Sequence, residues 1–259
     1  MPIITLTTDF GLRDHYVGVM KGVILGVAPS AAVVDITHEV EPQSLRHAAV
    51  VVADAVPYFP AGTIHVVVVD PGVGTGRRVL LVETGGQWAL APDNGVLTPL
   101  LSAAPPERVI AVTNKRYYRP AVSRTFHGRD IFAPVAAHLA AGVAASEFGS
   151  ETDTWETLDW PQPHKTDDGV AGQVLYADRF GNLITNITGE AVLGMGEGVS
   201  VRAGGRECPL VGVYGDAAEG NLVALIDSSG RLEISVVNGS ARDALGVGPD
   251  APVAAVRGG

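Results

Sequence analysis

Two periodicities alternate along the first 150 residues. Residues 3–8 (IITLTT) form a short apolar, β-branched run that stops at Asp9-Phe10-Gly11, the pattern of a strand with a loop at its carboxyl end. Residues 14–27 repeat apolar positions at helical spacing, with Asp14 placed to cap the helix and Pro29 to stop it. The same logic predicts strands over 32–36, 79–83 and 109–113, and a helix over 44–58 closed by Pro57 and Pro60. Residues 63–69 (TIHVVVV) are almost continuously apolar, as expected of a strand covered on both faces. Asp130 is expected to cap a further helix, with Pro134 in its first turn and Gly142 just past its end. Strands alternating with helices predict a layered α/β domain with a mostly parallel sheet.

The pattern breaks at residues 151–168, which are polar, carry two prolines and sustain no period; they read as a linker. Short β-like runs follow at 172–176, 183–187, 199–202, 222–226 and 232–237, separated by Gly, Asn, Asp and Ser. They predict a smaller all-β domain, a sandwich or barrel. The expected organisation is an α/β domain over 1–150, the linker, and a β domain over 169–259.

Composition narrows the function. Of 259 residues, 46% are hydrophobic and 18% charged, which excludes wholesale disorder. The net charge of -10 repels a phosphate backbone and disfavours nucleic acid as a partner. The densest basic stretches are only Arg77-Arg78 and Lys115-Arg116. No apolar run approaches the roughly 20 residues that span a bilayer, and the N-terminus lacks a signal-peptide pattern. No membrane partner and a cytoplasmic location are therefore expected. The single cysteine, Cys208, excludes an internal disulfide or a multi-cysteine zinc site. Without an H-x-x-x-H pair or a carboxylate cluster at ligand spacing, no metal is expected.

Several strings carry candidate chemistry. Asp9 ends the first strand, where open α/β sheets bind ligands, though such an Asp also serves simply to cap a turn. Residues 66–78 (VVVVDPGVGTGRR) match neither phosphate-loop pattern, and the next residues are β-like rather than helical. This loop is read as fixing Asp70 and presenting Arg77 or Arg78. His127, between Phe126 and Gly128 at a helix entry, is either structural or a general acid or base. Residues 176–186 (YADRFGNLITN) place Asp178 and Asn182 in one turn. Residues 91–95 (APDNG) and 227–234 (DSSGRLEI) read as turns, the second carrying Ser228 and Glu233.

Together, in this order, the strings resemble the S-adenosyl-L-methionine hydroxide adenosyltransferases, relatives of the fluorinase and chlorinase enzymes, from TLTTDFG at residue 5 to LEISVVNG near residue 239. The resemblance implies hydrolysis of S-adenosyl-L-methionine to adenosine and L-methionine without a cofactor. It implies a homotrimer or dimer of trimers, with the substrate between the N-terminal domain of one subunit and the C-terminal domain of the next. Asp70, Arg77 and His127 match the set that handles the water. Asp9 matches the ribose carboxylate, Asp178 the ammonium contact, Asn182 the adenine contact and Ser228 a carboxylate contact, with Gly128 and Glu233 also lining the substrate.

The departures from the halogenating relatives are informative. Those carry Tyr at the position of Asp70, Ser at Gly128, Trp at Gln43, and a long insertion near residue 85. A carboxylate about 4 Å from a halide costs roughly 4 kcal/mol at an effective dielectric of 20, a term that neutral water escapes. Hydrolysis is therefore expected over 5′-chloro-5′-deoxyadenosine formation or silent S-adenosyl-L-methionine binding. Whether Asp70 or His127 takes the proton stays open at this level, as does a role for Arg78.

Overall fold

The computed structural model describes residues 1–257. The chain folds as two compact units, Met1–Asp159 and a second beginning at Trp160.

The first unit runs β1 (Ile3–Thr8), α1 (Tyr16–Val27), β2 (Ala32–Thr37), α2 (Leu45–Ala55), β3 (Ile64–Val68), β4 (Val79–Thr84), β5 (Gln87–Pro92), α3 (Thr98–Ala103), β6 (Arg108–Val112), α4 (Ala133–Ala140) and β7 (Gly149–Glu151). The sheet order is β2-β1-β3-β5-β4-β6-β7. The ladder from β2 to β5 is parallel, and β4 reverses between β5 and β6. The sheet is thus mostly parallel, as the alternating pattern requires. Strand β3 is buried along its length, matching its unbroken apolar run.

Helix α1 buries Val17, Met20 and Ile24 at helical spacing. It packs with α4 over Ile4, Leu6, Val66 and Val68. Its entry departs from expectation: His15, not Asp14, holds the N-cap, and no side chain caps it. Asp130 is not a cap either. It lies inside a π-helical turn, Gly128–Phe132, that runs directly into α4. Strand β5 escaped the sequence pattern although Gly85-Gly86, both at positive φ (56° and 71°), make the two-residue turn that joins it to β4.

The second unit contains β8 (His164–Lys165), β9 (Gly169–Ala177), β10 (Leu183–Thr188), α5 (Gly189–Leu193), β11 (Val199–Ala203), β12 (Arg206–Pro209), β13 (Leu222–Ile226), β14 (Arg231–Val236), α6 (Ala241–Leu245) and β15 (Pro252–Arg257). Its antiparallel path is β12-β11-β15-β9-β10-β14-β13. A bridge between Leu210 and Ala224 links the two ends into a nearly closed barrel. Val174, Leu183, Ile187, Val201 and Ile234 fill it.

Residues 151–168 divide between the units. Arg78 donates to Thr152 and to the Thr154 carbonyl, Asp93 accepts from the Glu156 N–H, and Thr98 from the Leu158 N–H. His164 and Lys165 pair with β9.

Candidate active site

Strands β1 and β3 are parallel neighbours, with Thr8 in register with Val68, so Asp9 and Asp70 emerge from the same end. The chain leaves β1 for β2 on one side and returns to β3 on the other. That reversal opens a crevice at the carboxyl ends of the strands. A cleft of about 240 Å³ occupies it, lined by Asp9, Gln43, Asp70, Phe126, His127 and Gly128 among others.

The β3–β4 loop brings Arg77 back onto Asp70. Arg77 Nε donates to Oδ1 at 3.0 Å and to Oδ2 at 2.9 Å, and Nη2 also bonds to Oδ2. The two side chains are 10% and 4% exposed, so water competes little for this pairing. A side-chain amide and a glycine brace the loop. Asn94 Nδ2 donates to the carbonyl of Val69, one residue before Asp70. Gly74 has φ 78°, and a Cβ there would stand 2.2 Å from the Arg124 carbonyl. Only glycine allows the loop to lie this close to the segment that carries His127.

Arg77 Nη2 reaches His127 Nδ1 at 2.9 Å. A guanidinium only donates, so Nδ1 accepts and the neutral ring carries its proton on Nε2. Burial, then the Arg77 charge, lowers the His127 pKa below the usual imidazole value, against the opposing pull of Asp70 and Asp130. His127 is held by the π-helical turn behind it, a local distortion common at functional sites. Asp130 anchors that turn: fully buried, it accepts from the Ser123 N–H at 2.8 Å and from Arg129 at 2.7 Å. Burial would raise its pKa, but Arg129 and Ser123 hold the carboxyl below the ordinary range.

Asp9 Oδ2 accepts from the Gln43 N–H at 2.8 Å. Gly128 is packed tightly; a Cβ there would meet Met20 Sδ at 3.1 Å and the rings of Phe10 and Phe126 at 3.4 Å. Arg78 turns away from this site and pairs with Asp93 at 2.7 Å, as successive side chains near a strand start must.

The remaining expected residues lie in the second unit. Asp178 organises the β9–β10 turn, accepting from the Phe180 and Asn182 N–H groups and from Asn182 Nδ2. That last bond engages one of the two Asn182 amide hydrogens. Phe180, Asn182 and Tyr214 line a second cavity of about 560 Å³ with the 236–239 turn. Glu233, 4% exposed, accepts from Tyr214 Oη and Ser235 Oγ, each at 2.5 Å. Burial, with Asp178 and Asp227 nearby, raises the Glu233 carboxyl despite those two donors. Burial and the Glu233 bond push the Tyr214 phenol up to about 12. Ser228 stands at the exposed tip of the β13–β14 hairpin. The structure therefore groups Asp9, Asp70, Arg77, His127 and Gly128 in one unit and Asp178, Asn182 and Glu233 in the other. Tyr214 carried no sequence signal; Phe180, a bulky apolar residue inside a polar turn, did.

Crevices of this kind take small ligands, and the acid, base and anion-pairing groups gathered here are those of a small-molecule enzyme. Residues 4–149 match the SAM hydroxide adenosyltransferase N-terminal domain and residues 172–254 the C-terminal domain. The chain belongs to the SAM hydroxide adenosyltransferase family. It is 43% identical to the (R)-S-adenosyl-L-methionine hydrolase of Thermus thermophilus, over 95% of this chain and 96% of that one. The enzyme of the same name from Salinispora tropica is 40% identical over 96% and 95%. A fluorinase from an Actinoplanes species is more distant, 29% identical over 90% of each chain. A crystal structure of an uncharacterized conserved protein from Thermotoga maritima superposes with a TM-score of 0.92 at 39% identity, covering 99% of this chain and all of that one.

Proposed function

We propose that this protein hydrolyses S-adenosyl-L-methionine at C5′ to adenosine and L-methionine, acting on the (R) sulfonium epimer that its hydrolase relatives are named for. The observation that carries this reading is the Asp70–Arg77–His127 chain of contacts in the strand-end cleft.

The leaving group needs no help: a sulfonium departs as a neutral thioether, so the reaction calls for neither an acid nor a cofactor. What it needs is a held nucleophile in line with the C5′–S bond. Water sits against Asp70 and His127. Its oxygen bonds to C5′ as the C5′–S bond breaks, and sulfur keeps the electron pair. The proton passes to the Asp70 carboxylate. His127, with Nδ1 occupied by Arg77, donates Nε2–H to the attacking oxygen and orients it. Asp9 accepts from the ribose, which fixes the line of attack. Asn182 accepts from the adenine amine, Asp178 and Ser228 serve the methionine end, and Glu233 steadies Tyr214 beside the base.

A cleft of about 240 Å³ is smaller than the roughly 300–1,000 Å³ of sites that enclose a drug-sized ligand. This supports completion of the site by a further surface, and the family resemblance implies that a neighbouring copy in a homotrimer or dimer of trimers supplies it. Among the described residues no helix is long and apolar enough to cross a membrane; the substrate and the lone buried thiol of Cys208 fit the cytoplasm. Incubation with S-adenosyl-L-methionine in halide-free buffer should release adenosine and methionine one to one. Halogenated nucleoside on adding chloride, or no turnover, would reject the reading.

A further inference from the structure

We propose that Asp130 is a positioning residue for His127: its buried carboxylate fixes the loop that presents the imidazole, and so sets where Nε2–H points. The proposal rests on the hydrolase reading above. Residues 118–126 contain no helix or strand, and every residue of 119–125 except Ser123 is exposed. Loops of that kind are ordinarily mobile. Yet this one leads directly into His127, carries Phe126 in the cleft wall, and lays the Arg124 carbonyl against Gly74 of the loop that bears Arg77.

Asp130 ties this loop at three places. Its carbonyl accepts from the Arg119 N–H at 2.9 Å, and its own N–H donates to the Phe126 carbonyl at 3.2 Å. Its Oδ2 accepts from the Ser123 N–H at 2.8 Å. The bonding continues toward the histidine, because Ser123 Oγ accepts from the Thr125 N–H at 3.2 Å. Arg129 completes the arrangement, donating from Nε to Oδ1 at 2.7 Å and from Nη2 to Oδ2 at 2.8 Å. Its guanidinium also lies 5.1 Å from the centre of the Phe126 ring, which meets Phe10 and Tyr16 edge to face.

Three side-chain N–H···O bonds converge on one carboxylate that is 0% exposed. Only an ionised carboxyl accepts from all of them; an asparagine would turn an NH2 toward a donor and leave a buried group unsatisfied. Replacing such a pair by apolar residues is often neutral for stability, so a charged pair kept at this place points to geometry. Arg77 at 2.9 Å from Nδ1 sets the tautomer of the His127 ring. The Asp130 bonds hold the backbone from which that ring hangs, and both are needed to keep the contact.

The test uses Asp130→Asn, Arg129→Met and Arg129→Lys in the full chain. Asp130→Asn is expected to lower kcat about 100-fold, the usual effect of a group misplaced by about 1 Å, and Arg129→Met about tenfold. KM for S-adenosyl-L-methionine should stay within threefold in both, because the groups assigned to the substrate are untouched. Arg129→Lys, which keeps a cation on Asp130, should return kcat to within threefold of wild type. Nitrogen-15 NMR of the His127 ring at pH 8 should show the single Nε2–H tautomer in wild type and a mixture of both tautomers in Asp130→Asn and Arg129→Met. A role in stability alone would lower the melting temperature and leave the tautomer of the folded protein fixed. If Asp130→Asn fails to fold, Arg129→Met, whose side chain is 31% exposed in wild type, decides by the same readouts. A single tautomer in the folded variants, or wild-type kcat in them, would overturn the proposal. A wild type that does not turn over S-adenosyl-L-methionine refutes the hydrolase reading alone, and the ring spectra still decide Asp130.

Discussion

Arg77 spans two loops that lie 50 residues apart, holding Asp70 through Nε and Nη2 and donating from Nη2 to His127 Nδ1 at 2.9 Å. The contact fixes the neutral tautomer of His127 and favours its neutral form. Because the folded pKa of His127 lies below the usual value near 6.5, activity should be flat above about pH 6.5. It should fall along an acid limb below that value. In Arg77→Gln, proton NMR should show His127 titrating at a higher pH than in wild type. An unchanged midpoint would remove Arg77 from control of the ring.

His47, His65 and His138 share that direction, each lowered chiefly by burial. As pH falls through 6.5 the unfolded chain takes up these protons before the folded one. Stability present above that pH is lost progressively below it. Melting temperature should accordingly drop between pH 7 and pH 5.5. A flat profile across that window would contradict the buried neutral assignment.

Asp70→Asn keeps the size of the side chain and removes the charge that accepts the water proton. It should lower kcat by about 10²–10⁴, the usual contribution of a positioned acid or base, with KM within a few fold. Steady-state adenosine release measures both. Full activity would exclude Asp70 from the chemistry.

Gly74→Ala tests the close approach of the two loops. Its Cβ would stand 2.2 Å from the Arg124 carbonyl at a φ of 78°, so the loops must part. Left-handed backbone alone costs an alanine about 1–2 kcal/mol. The variant should melt several degrees lower and lose at least tenfold in kcat as Arg77 moves off His127. Wild-type activity would show that the approach is dispensable.

Glu233→Gln removes a buried, charge-disfavoured carboxyl while keeping an acceptor for Tyr214 and Ser235. A carboxyl whose folded pKa is raised favours folding most at acid pH, and that contribution fades as pH rises through the folded value. The variant should therefore gain stability over wild type at pH 8 and lose that advantage at pH 4. Paired denaturant titrations would read the crossover, and equal curves at both pH values would refute it.

The strand ends that carry Asp9 and Asp70 were legible because each follows an apolar run with no competing pattern. Helix α2 was legible from its spacing and prolines. Strand β5 was not, because QWALAP mixes a buried glutamine with alanines; the Gly85-Gly86 turn was the available signal. Strand β15 was hidden in the same way by Pro252 and its alanines. Asp130 looked like a helix cap because the sequence cannot distinguish a π-helical turn from an α-helical start. Adjacent arginines are equivalent on paper, whereas a strand start sends Arg77 and Arg78 to different partners. The tautomer of His127 depends on a contact across 50 residues, which no local pattern encodes.

Turnover in water enriched in oxygen-18, followed by mass spectrometry of the nucleoside, tests the central claim most directly. Attack by an Asp70-held water predicts one heavy oxygen at the 5′-hydroxyl of adenosine and none in methionine. Unlabelled adenosine, or label carried by methionine instead, would contradict displacement at C5′.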